Sequence, residues 1–321
     1  MILSPWLHDI WRSLAQRLQR NELPHALLIA GAAGLGKREL ADALVSAALC
    51  EARAEDHLAC GRCRSCLLLV AGSHPDRVEV TFGVRDDGKP RSEIVVEQIR
   101  LLSQRLSLSS QFGGLQLAKI DPADAMNANA ANALLKTLEE PTAATVIVLV
   151  SDRPSRLPAT IRSRCQRIEI AVPPVAEARD WLVKRGVNTA QADEALAASL
   201  GNPGLALNAS QDDTLSLRAG CARDLAALRS GRASAVLIAE AWTADRPAER
   251  LWHAAILARD EAMRIARGEP GALGLTARGE IPKLASWFAA TNRSRELLGT
   301  PLRGELVVLD LLHSWQAPRR T

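Results

Sequence analysis

The amino-acid sequence predicts an α/β domain with a parallel sheet, followed by regions built only from helices. In the first half of the 321-residue chain, short β-branched or aliphatic runs alternate with amphipathic helical patterns. This alternation is typical of parallel strands joined by crossover helices. After Val172-Pro173-Pro174 the β-branched runs largely disappear, and Ala, Leu and Arg dominate at helical spacing. Because the chain is long for a single core, we expect two or three domains.

The predicted sheet is made of short apolar or β-branched runs. These strands are ALLIAG (26–31), RVEVT (77–81), LQLAKID (115–121), TVIVLVS (145–151) and RIEI (167–170). Helical patterns lie near residues 5–20, 37–50, 94–107, 127–140 and 155–164. Helices that pack on a mostly parallel sheet form the layered α/β architecture.

The second half of the chain is predicted to be helical throughout. Residues 174–210 form one helical region, interrupted at GNPG (201–204), and further helices include 251–268 and 301–315. In the last of these, four leucines recur on one face: Leu302, Leu306, Leu309 and Leu312. We interpret this stripe as part of a buried core, with an oligomerisation face as the alternative.

The charge and hydropathy of the chain argue against a strong nucleic-acid binder, a membrane protein and a secreted protein. The chain has 40 Lys and Arg residues against 36 Asp and Glu, a net charge of +4, which gives little support for strong autonomous binding of nucleic acid. No apolar run reaches the roughly 18 residues that span a membrane, and the N-terminus lacks the pattern of a secretory signal. We therefore expect a cytoplasmic protein whose six cysteines do not pair with one another.

GAAGLGKRE (31–39) is nearly the phosphate-binding loop of an ATPase. Gly31, Gly34, Gly36 and Lys37 supply the glycines and the lysine, and the loop stands between a predicted strand and a predicted helix. The Ser or Thr that normally coordinates Mg²⁺ is replaced by Arg38. A cationic side chain cannot coordinate a cation, so the sequence predicts a degenerate loop.

Two further parts of the hydrolytic machinery are missing from the sequence. Asp121 matches the carboxylate that holds the metal, but Pro122 follows where an acid is expected, and proline cannot act as a base. GNPGLAL (201–207) has no arginine that could reach a nucleotide. We expect no ATP or ADP hydrolysis by this chain, while nucleotide binding at the loop stays open. The alternatives are an ordinary glycine-rich turn and an active ATPase in which Arg38 adapts to the metal.

Four cysteines form the second motif, spaced C-x9-C-x2-C-x2-C. They are Cys50, Cys60, Cys63 and Cys66. Four thiolates at this spacing suit a closed, tetrahedral, structural Zn²⁺ site. An iron–sulfur cluster is disfavoured because the usual fourth cysteine and proline do not follow, and a redox dithiol has no catalytic base beside it in the sequence. A DNA-binding module that uses this cluster with Arg62 and Arg64 is a further alternative.

The third motif is an arginine-rich segment, DRPSRLPATIRSRCQRIEI (152–170). Guanidinium groups bind phosphate oxygens with two donors at once, so the segment suits an anionic partner. Taken alone, such a run is more often a solvated surface.

Together these motifs resemble bacterial clamp-loader subunits of the AAA+ family. The resemblance is carried by HALLIAGAAGLGK (25–37), the cysteine cluster, SHPD (73–76), ANALLKTLEEP (131–141) and RLPATIRSRC (156–165), and it covers about the first 210 residues. The degenerate loop, Pro122 and the GNPG turn differ from the gamma and tau subunits, which are the working motors of that family.

The resemblance implies a complete domain plan. It implies an AAA+ core (1–171) with a zinc knuckle insertion (50–66), a helical lid domain (172–211) and a helical collar domain for oligomerisation (212–321). Within the family, each ATP lies at a junction between subunits, and the neighbouring subunit contributes the arginine of its Ser-Arg-Cys motif.

The resemblance also implies site residues and partners. By this match Arg164, within Ser163-Arg164-Cys165, is an arginine finger that acts in trans on a gamma or tau subunit. The implied partners are the gamma/tau and delta subunits, and the sliding clamp and primed DNA through the assembled complex, with no membrane partner. Ser151 and Asp152 lie where the family places a polar nucleotide sensor, and their role stays open.

Overall fold

A computed structural model of the chain describes residues 3–84, 88–142, 144–269, 271, 273, 275 and 277–316. The chain divides into two compact units. The first comprises Met1–Trp181 together with Asn202–Gly204, and the second comprises Leu182–Gly201 and Leu205–Thr321. The division into three domains expected from the resemblance remains a prediction.

The first unit contains a five-stranded sheet in the order β2-β3-β4-β1-β5, with every neighbouring pair parallel. Its strands are β1 (Ala26–Ala30), β2 (Arg77–Val80), β3 (Gln116–Ile120), β4 (Thr145–Ser151) and β5 (Gln166–Glu169). The three central strands are buried along their whole length, as expected when helices cover both faces. The predicted parallel sheet with flanking helices is confirmed.

The described residues also form fourteen α-helices. Those up to residue 183 are α1 (His8–Gln19), α2 (Lys37–Leu49), α3 (Arg64–Val70), α4 (Val96–Leu106), α5 (Ala128–Glu139), α6 (Ala159–Arg162) and α7 (Val175–Val183). The others are α8 (Thr189–Ala198), α9 (Pro203–Gln211), α10 (Thr214–Arg229), α11 (Ala235–Ala244), α12 (Pro247–Arg267), α13 (Ile281–Leu297) and α14 (Gly304–Trp315). None of them, within the described residues, is long and apolar enough to cross a membrane.

The helix predicted at 155–164 is much shorter in the structure. Residues Pro154–Arg156 form a 3₁₀ turn, and α6 covers only four residues after Pro158. Proline lacks a backbone N–H and pushes the residue before it away from helical geometry, so Pro158 prevents a continuous helix. This leaves the Ser-Arg-Cys segment directly after a short, fixed turn of helix.

Two hydrophobic cores lie on the two faces of the sheet, and β1 contributes to both. Leu27 and Ile29 pack in the core that contains α1 and α2, while Leu28 packs in the core that contains α4 and α5. Alternate residues of a strand face opposite sides, so the strands are fixed between the two helical layers. The carboxyl ends of β1, β3 and β4 therefore meet at one edge of the sheet, where ligands bind in open α/β sheets.

The core of the second unit is built from helices around residues such as Trp242, Leu257 and Leu312. The predicted leucine stripe is buried only in its last part. Leu312 is buried and Leu309 packs partly against the core, but Leu306 is exposed and Leu302 lies exposed before α14 begins. The interpretation of the whole stripe as core was wrong for its first two members, because Leu302 precedes α14 and Leu306 lies on an exposed part of its first turn.

Candidate functional site

The degenerate phosphate loop lies between β1 and α2, at the carboxyl edge of the sheet. Gly36 precedes α2 with a φ of 83°, in the left-handed region that favours glycine. A Cβ at this position would also meet the side chain of Leu7. The strand, loop and helix follow one another in the order that a phosphate site needs.

Lys37 is directed into the protein. Its side chain is only 1% exposed, and its Nζ lies 2.6 Å from Asp152 Oδ1. The same nitrogen donates to the Ala32 carbonyl oxygen at 2.5 Å. The ammonium that would bind phosphate in an ATPase is therefore already neutralised by a carboxylate of this chain.

Arg38 makes a second set of ion pairs at the same place. Its Nε donates to Asp121 Oδ2 at 2.9 Å, and an Nη lies 3.5 Å from Asp152 Oδ2. Burial raises the pKa of Asp121 above its ordinary value, and the nearby Arg38 charge opposes that rise. The other carboxylate oxygen, Asp121 Oδ1, is buried with no hydrogen-bond partner among the residues described.

These residues do not fit a magnesium ion, even though a buried carboxylate oxygen remains. Two unit charges 4 Å apart interact by about 4 kcal/mol at an effective dielectric constant of about 20, and a divalent ion doubles this value. An ion bound at Asp121 would meet that repulsion from the guanidinium of Arg38. The hydroxyl that normally completes its coordination is absent from position 38.

The polar residues at the end of β4 are tied to Asp124, which sequence reasoning missed. Ser151 Oγ donates to Asp124 Oδ1 at 2.7 Å, and the backbone N–H of Asp152 donates to the same oxygen at 3.0 Å. Asp124 follows Asp121 and Pro122 in the stretch already examined for a catalytic acid. It acts here as a hydrogen-bond acceptor that orders the end of β4.

The GNPG turn contacts the backbone of the phosphate loop. Asn202 Nδ2 donates to the Ala33 carbonyl oxygen at 2.7 Å. A Cβ added to Gly204 would clash with the backbone of Gly34, so this close approach requires glycine. The structural reason for the glycine in this turn is therefore contact with the loop.

The four cysteines of the second motif come together and could hold a metal ion. Their Sγ atoms all lie within 4.8 Å of one another. The Sγ atoms of Cys50 and Cys63 are 3.9 Å apart, and those of Cys60 and Cys66 are 4.0 Å apart. A tetrahedral Zn²⁺ with bonds of about 2.3 Å to sulfur places its ligands about 3.8 Å apart. The spacing of the sulfur atoms therefore fits such an ion.

Backbone N–H groups point at these sulfur atoms. The N–H of Cys60 donates to Cys50 Sγ at 3.3 Å, and the N–H of Cys63 donates to Cys60 Sγ at 3.3 Å. Hydrogen bonds from the backbone of Arg62 and Cys63 lower the pKa of the Cys60 thiol to about 6. Such donors favour the thiolate, which is the form that binds metal. Burial acts in the opposite direction at Cys66 and raises the pKa of its thiol to about 12.

His74 and Ser65 lie beside this cluster in an arrangement that looks like part of a catalytic triad. Ser65 Oγ is 2.8 Å from His74 Nε2, but the backbone N–H of Asp76 donates to His74 Nδ1 at 3.1 Å. The proton of the neutral ring must then lie on Nε2, which donates to Ser65, whose hydroxyl donates to the Leu49 carbonyl oxygen. A histidine that donates to a serine cannot accept its proton, so this network is structural.

Arg164 lies on the outside of the first unit. One Nη is 2.6 Å from Glu139 Oε1 and the other donates to the Thr160 carbonyl oxygen at 2.9 Å. Its neighbours in the motif are less accessible or locally bonded: Cys165 is buried, which raises the pKa of its thiol to about 11, and Ser163 Oγ donates to Thr160 O. Sequence reasoning missed Glu139, although this residue lies within the segment ANALLKTLEEP (131–141) that carries the family resemblance.

The predicted residues therefore fall into three separate places. The loop residues meet Asp121 and Asp152, and the cysteines meet one another. Among the described residues, Arg164 pairs with Glu139 and Thr160 and with neither of these groups. Of the other arginines in its segment, Arg167 pairs with Glu169 at 2.9 Å, whereas Arg153, Arg156 and Arg162 have no ion pair within that part of the chain.

Three features of the sequence indicate one particular clamp-loader subunit and not only the family. They are Arg38, Pro122 and the GNPG turn. Within that family they predict the delta-prime subunit of DNA polymerase III. Comparison with known proteins confirms this prediction. A family model described as "DNA polymerase III, delta subunit" matches residues 6–174.

Relatives match over most of the chain. It is 38% identical to DNA polymerase III subunit delta' of Pseudomonas aeruginosa, over 74% of this chain and 70% of the relative. It is 32% identical to DNA polymerase III subunit delta' of Escherichia coli, over 96% and 93%. Among solved structures, a gamma subunit-related protein of Thermotoga maritima is 18% identical with a TM-score of 0.45, over 95% of this chain and 98% of that one. The chain therefore belongs to the family of DNA polymerase III delta' subunits.

Proposed function

We propose that this protein is a non-hydrolysing subunit of the clamp-loader complex and that it supplies Arg164 to the ATP site of a neighbouring gamma or tau subunit. In that complex it helps to load the sliding clamp onto primed DNA, as part of the DNA polymerase III holoenzyme in the cytoplasm. The observation that carries the proposal is the pairing of Lys37 and Arg38 with carboxylates of the chain itself.

The phosphate loop is poorly suited to ATP for three reasons. A triphosphate would have to displace Asp152 from Lys37, an ion pair whose ammonium is buried. The metal would meet the Arg38 guanidinium, and Pro122 offers no base for the attacking water. Gly31, Gly34 and Gly36 then serve mainly to build the turn from β1 to α2.

Arg164 is suited to a partner's triphosphate because it is accessible and because its motif matches the family's finger. A finger of this kind stabilises the charge on the transferring phosphoryl group and raises the rate by roughly 10³ to 10⁵. The protein would thus contribute to catalysis at a site that belongs to another subunit.

Replacement of Arg164 in the reconstituted complex tests this function. Complexes of this protein with gamma or tau and delta subunits are compared for ATP turnover in steady state. Arg164→Ala should abolish the share of turnover that depends on the junction with this subunit, while complex formation on a sizing column stays intact.

The matched control is Arg162→Ala, two residues away, exposed and without an ion pair in the described residues. Its turnover should equal that of the wild type. If Arg164→Ala also retains wild-type turnover, the finger role is contradicted. ATP hydrolysis by the isolated wild-type chain, abolished by Lys37→Met, would instead support the alternative of an active ATPase.

We further propose that Cys50, Cys60, Cys63 and Cys66 bind one structural Zn²⁺. The support is the fit of the sulfur distances and the backbone N–H groups that favour thiolates. When bound, the ion would fix the segment between α2 and α3. Metal binding in such modules contributes about 10 kcal/mol or more to folding.

Metal analysis tests the zinc proposal. The purified chain should contain one Zn²⁺ and show no visible absorption from an iron–sulfur cluster, and Cys66→Ser should lose the metal. Cys221→Ser is the control, since Cys221 is buried in the core of the second unit and is not a member of the cluster. A wild-type chain without zinc, or a Cys66→Ser variant that keeps it, would contradict the proposal.

The domain plan of the resemblance completes the proposal. Residues 172–211 would be the helical lid and 212–321 the collar that holds the protein among the gamma/tau and delta subunits. A chain that ends at residue 211 should then fail to enter the complex, although its sheet domain is retained.

A further inference from the structure

Glu139 holds the guanidinium of Arg164 from one side. It is the last residue of α5, and its Oε1 lies 2.6 Å from one Nη of Arg164. We propose that Glu139 is a positioning residue that orients Arg164 toward the triphosphate of the neighbouring subunit. This inference rests on the proposed function of Arg164 as a finger.

The two contacts of Arg164 involve its two Nη atoms and leave other N–H donors of the guanidinium without a protein acceptor in the described residues. Thr160 O accepts a hydrogen bond from one Nη and the Glu139 carboxylate forms an ion pair with the other, so the guanidinium is held from two sides. A guanidinium has five N–H donors. The donors that remain, including Nε–H, have no protein acceptor within the described chain and can bind phosphate oxygens.

The backbone under this pair is rigid. Leu138, next to Glu139, and Ile161, three residues before Arg164, are both buried in the same hydrophobic core. Glu139 is thus carried by the end of α5, and Arg164 lies two residues after the end of α6, a helix that packs against α5. Groups that are oriented before the reaction lower its barrier, and small displacements of such groups are costly for rate.

The position of Glu139 gives a second argument. A carboxylate at the C-terminus of a helix is disfavoured by the negative end of the helix dipole, and Glu140 adds another acidic group next to it. Helix stability therefore does not explain the acid at 139. The Arg164 charge compensates for it, and the exposed pair remains weak enough for a phosphate to join.

The test measures ATP turnover of the full reconstituted complex with Glu139→Gln, Arg164→Ala and the double variant. We expect Glu139→Gln to reproduce at least half of the loss of kcat caused by Arg164→Ala, with the KM for ATP changed less than twofold. The double variant should be no slower than Arg164→Ala. Glu139→Asp keeps a carboxylate and should recover part of the lost turnover.

Glu140→Gln is the matched control, because Glu140 is exposed, carries the same charge and has no ion pair in the region described. It should retain wild-type turnover. All variants should assemble and unfold like the wild type, which separates positioning from a structural effect.

The outcomes separate this inference from the proposed function. If Arg164→Ala lowers turnover but Glu139→Gln does not, the positioning role is overturned and the finger remains. If Arg164→Ala itself has no effect, the proposed function fails and this inference fails with it. A faster Glu139→Gln complex, or an equal loss with Glu140→Gln, would also overturn the positioning role.

Discussion

Arg38 and Arg164 are two partly exposed arginines of the first unit, and the carboxylates that pair with them differ in burial. The side chain of Arg38 is 48% exposed and that of Arg164 is 36% exposed, so exposure alone would make Arg38 the more available of the two. The carboxylate that pairs with Arg38, Asp121, is only 12% exposed, whereas Glu139 is 49% exposed. The burial of the partner decides whether an arginine is free to act elsewhere.

The physical reason is the cost of an unpaired buried charge. Loss of one partner from a buried pair costs about 3–5 kcal/mol, because the other charge is left desolvated. An exposed pair contributes about 0–1 kcal/mol and can be exchanged for another anion. Arg38 is therefore held by this chain, and Arg164 is available to a partner.

The largest effect that this comparison predicts is at Asp152. Asp152→Asn removes the carboxylate beside the buried Lys37 and should lower the free energy of unfolding by about 3 kcal/mol. Urea denaturation measures the loss. Lys37→Met combined with Asp152→Asn should recover part of it, because no buried charge then remains unpaired. A loss below 1 kcal/mol would mean that the ion pairs of the phosphate loop are no stronger than the exposed pair of Arg164.

His253, a buried base in the second unit, extends the comparison to a side chain whose polar atoms have no hydrogen-bond partner among the described residues. Both ring nitrogens of His253 lack a hydrogen-bond partner among the described residues, and the Glu249 carboxylate is 4.0 Å away. Burial, with Arg218 and Arg246 nearby, lowers the pKa of His253 from 6.5 to about 4. The folded protein therefore keeps this ring neutral while the unfolded chain takes up a proton.

Stability from His253 should be fully present above pH 6.5 and be lost as the pH falls toward 4. The slope contributed by one such group approaches about 1.4 kcal/mol per pH unit. Urea denaturation at pH 7, 6 and 5 should show a smaller decrease for His253→Phe than for the wild type. Parallel profiles for the two proteins would contradict the assignment.

The smallest expected effect is at Glu139. Glu139→Gln should change the free energy of unfolding by less than about 1 kcal/mol, since the pair with Arg164 is exposed. The measurement uses the same denaturation series as Asp152→Asn. An equal loss of unfolding free energy in Glu139→Gln and Asp152→Asn would mean that both ion pairs stabilise the fold. Arg164 would then not be available to a partner.

The sequence was sufficient for features whose residues are close together or strongly patterned. The central strands β1, β3 and β4 are continuous apolar runs because both of their faces are buried, so each was predicted to within about two residues. The cysteine cluster was predicted from its spacing alone, and its four sulfur atoms do meet.

Partnerships set by tertiary packing were not predictable from the sequence. Asp152 reaches Lys37 because β4 pairs with β1 so that Ser151 lies beside Ala30, and no local pattern specifies that register. Glu139 meets Arg164 only because α5 and α6 share a core. Helix α3 was missed because it is short and begins where Cys63, one of the cysteines, accepts a hydrogen bond from the Cys66 N–H.

Helix α2 joins two of the features described above. The phosphate loop leads into its first residue, and Cys50 follows its last residue, Leu49. Thirteen residues at 1.5 Å per residue make a rod of about 20 Å. The cysteine cluster and Lys37 therefore lie at opposite ends of one continuous helix, which sets the distance between them.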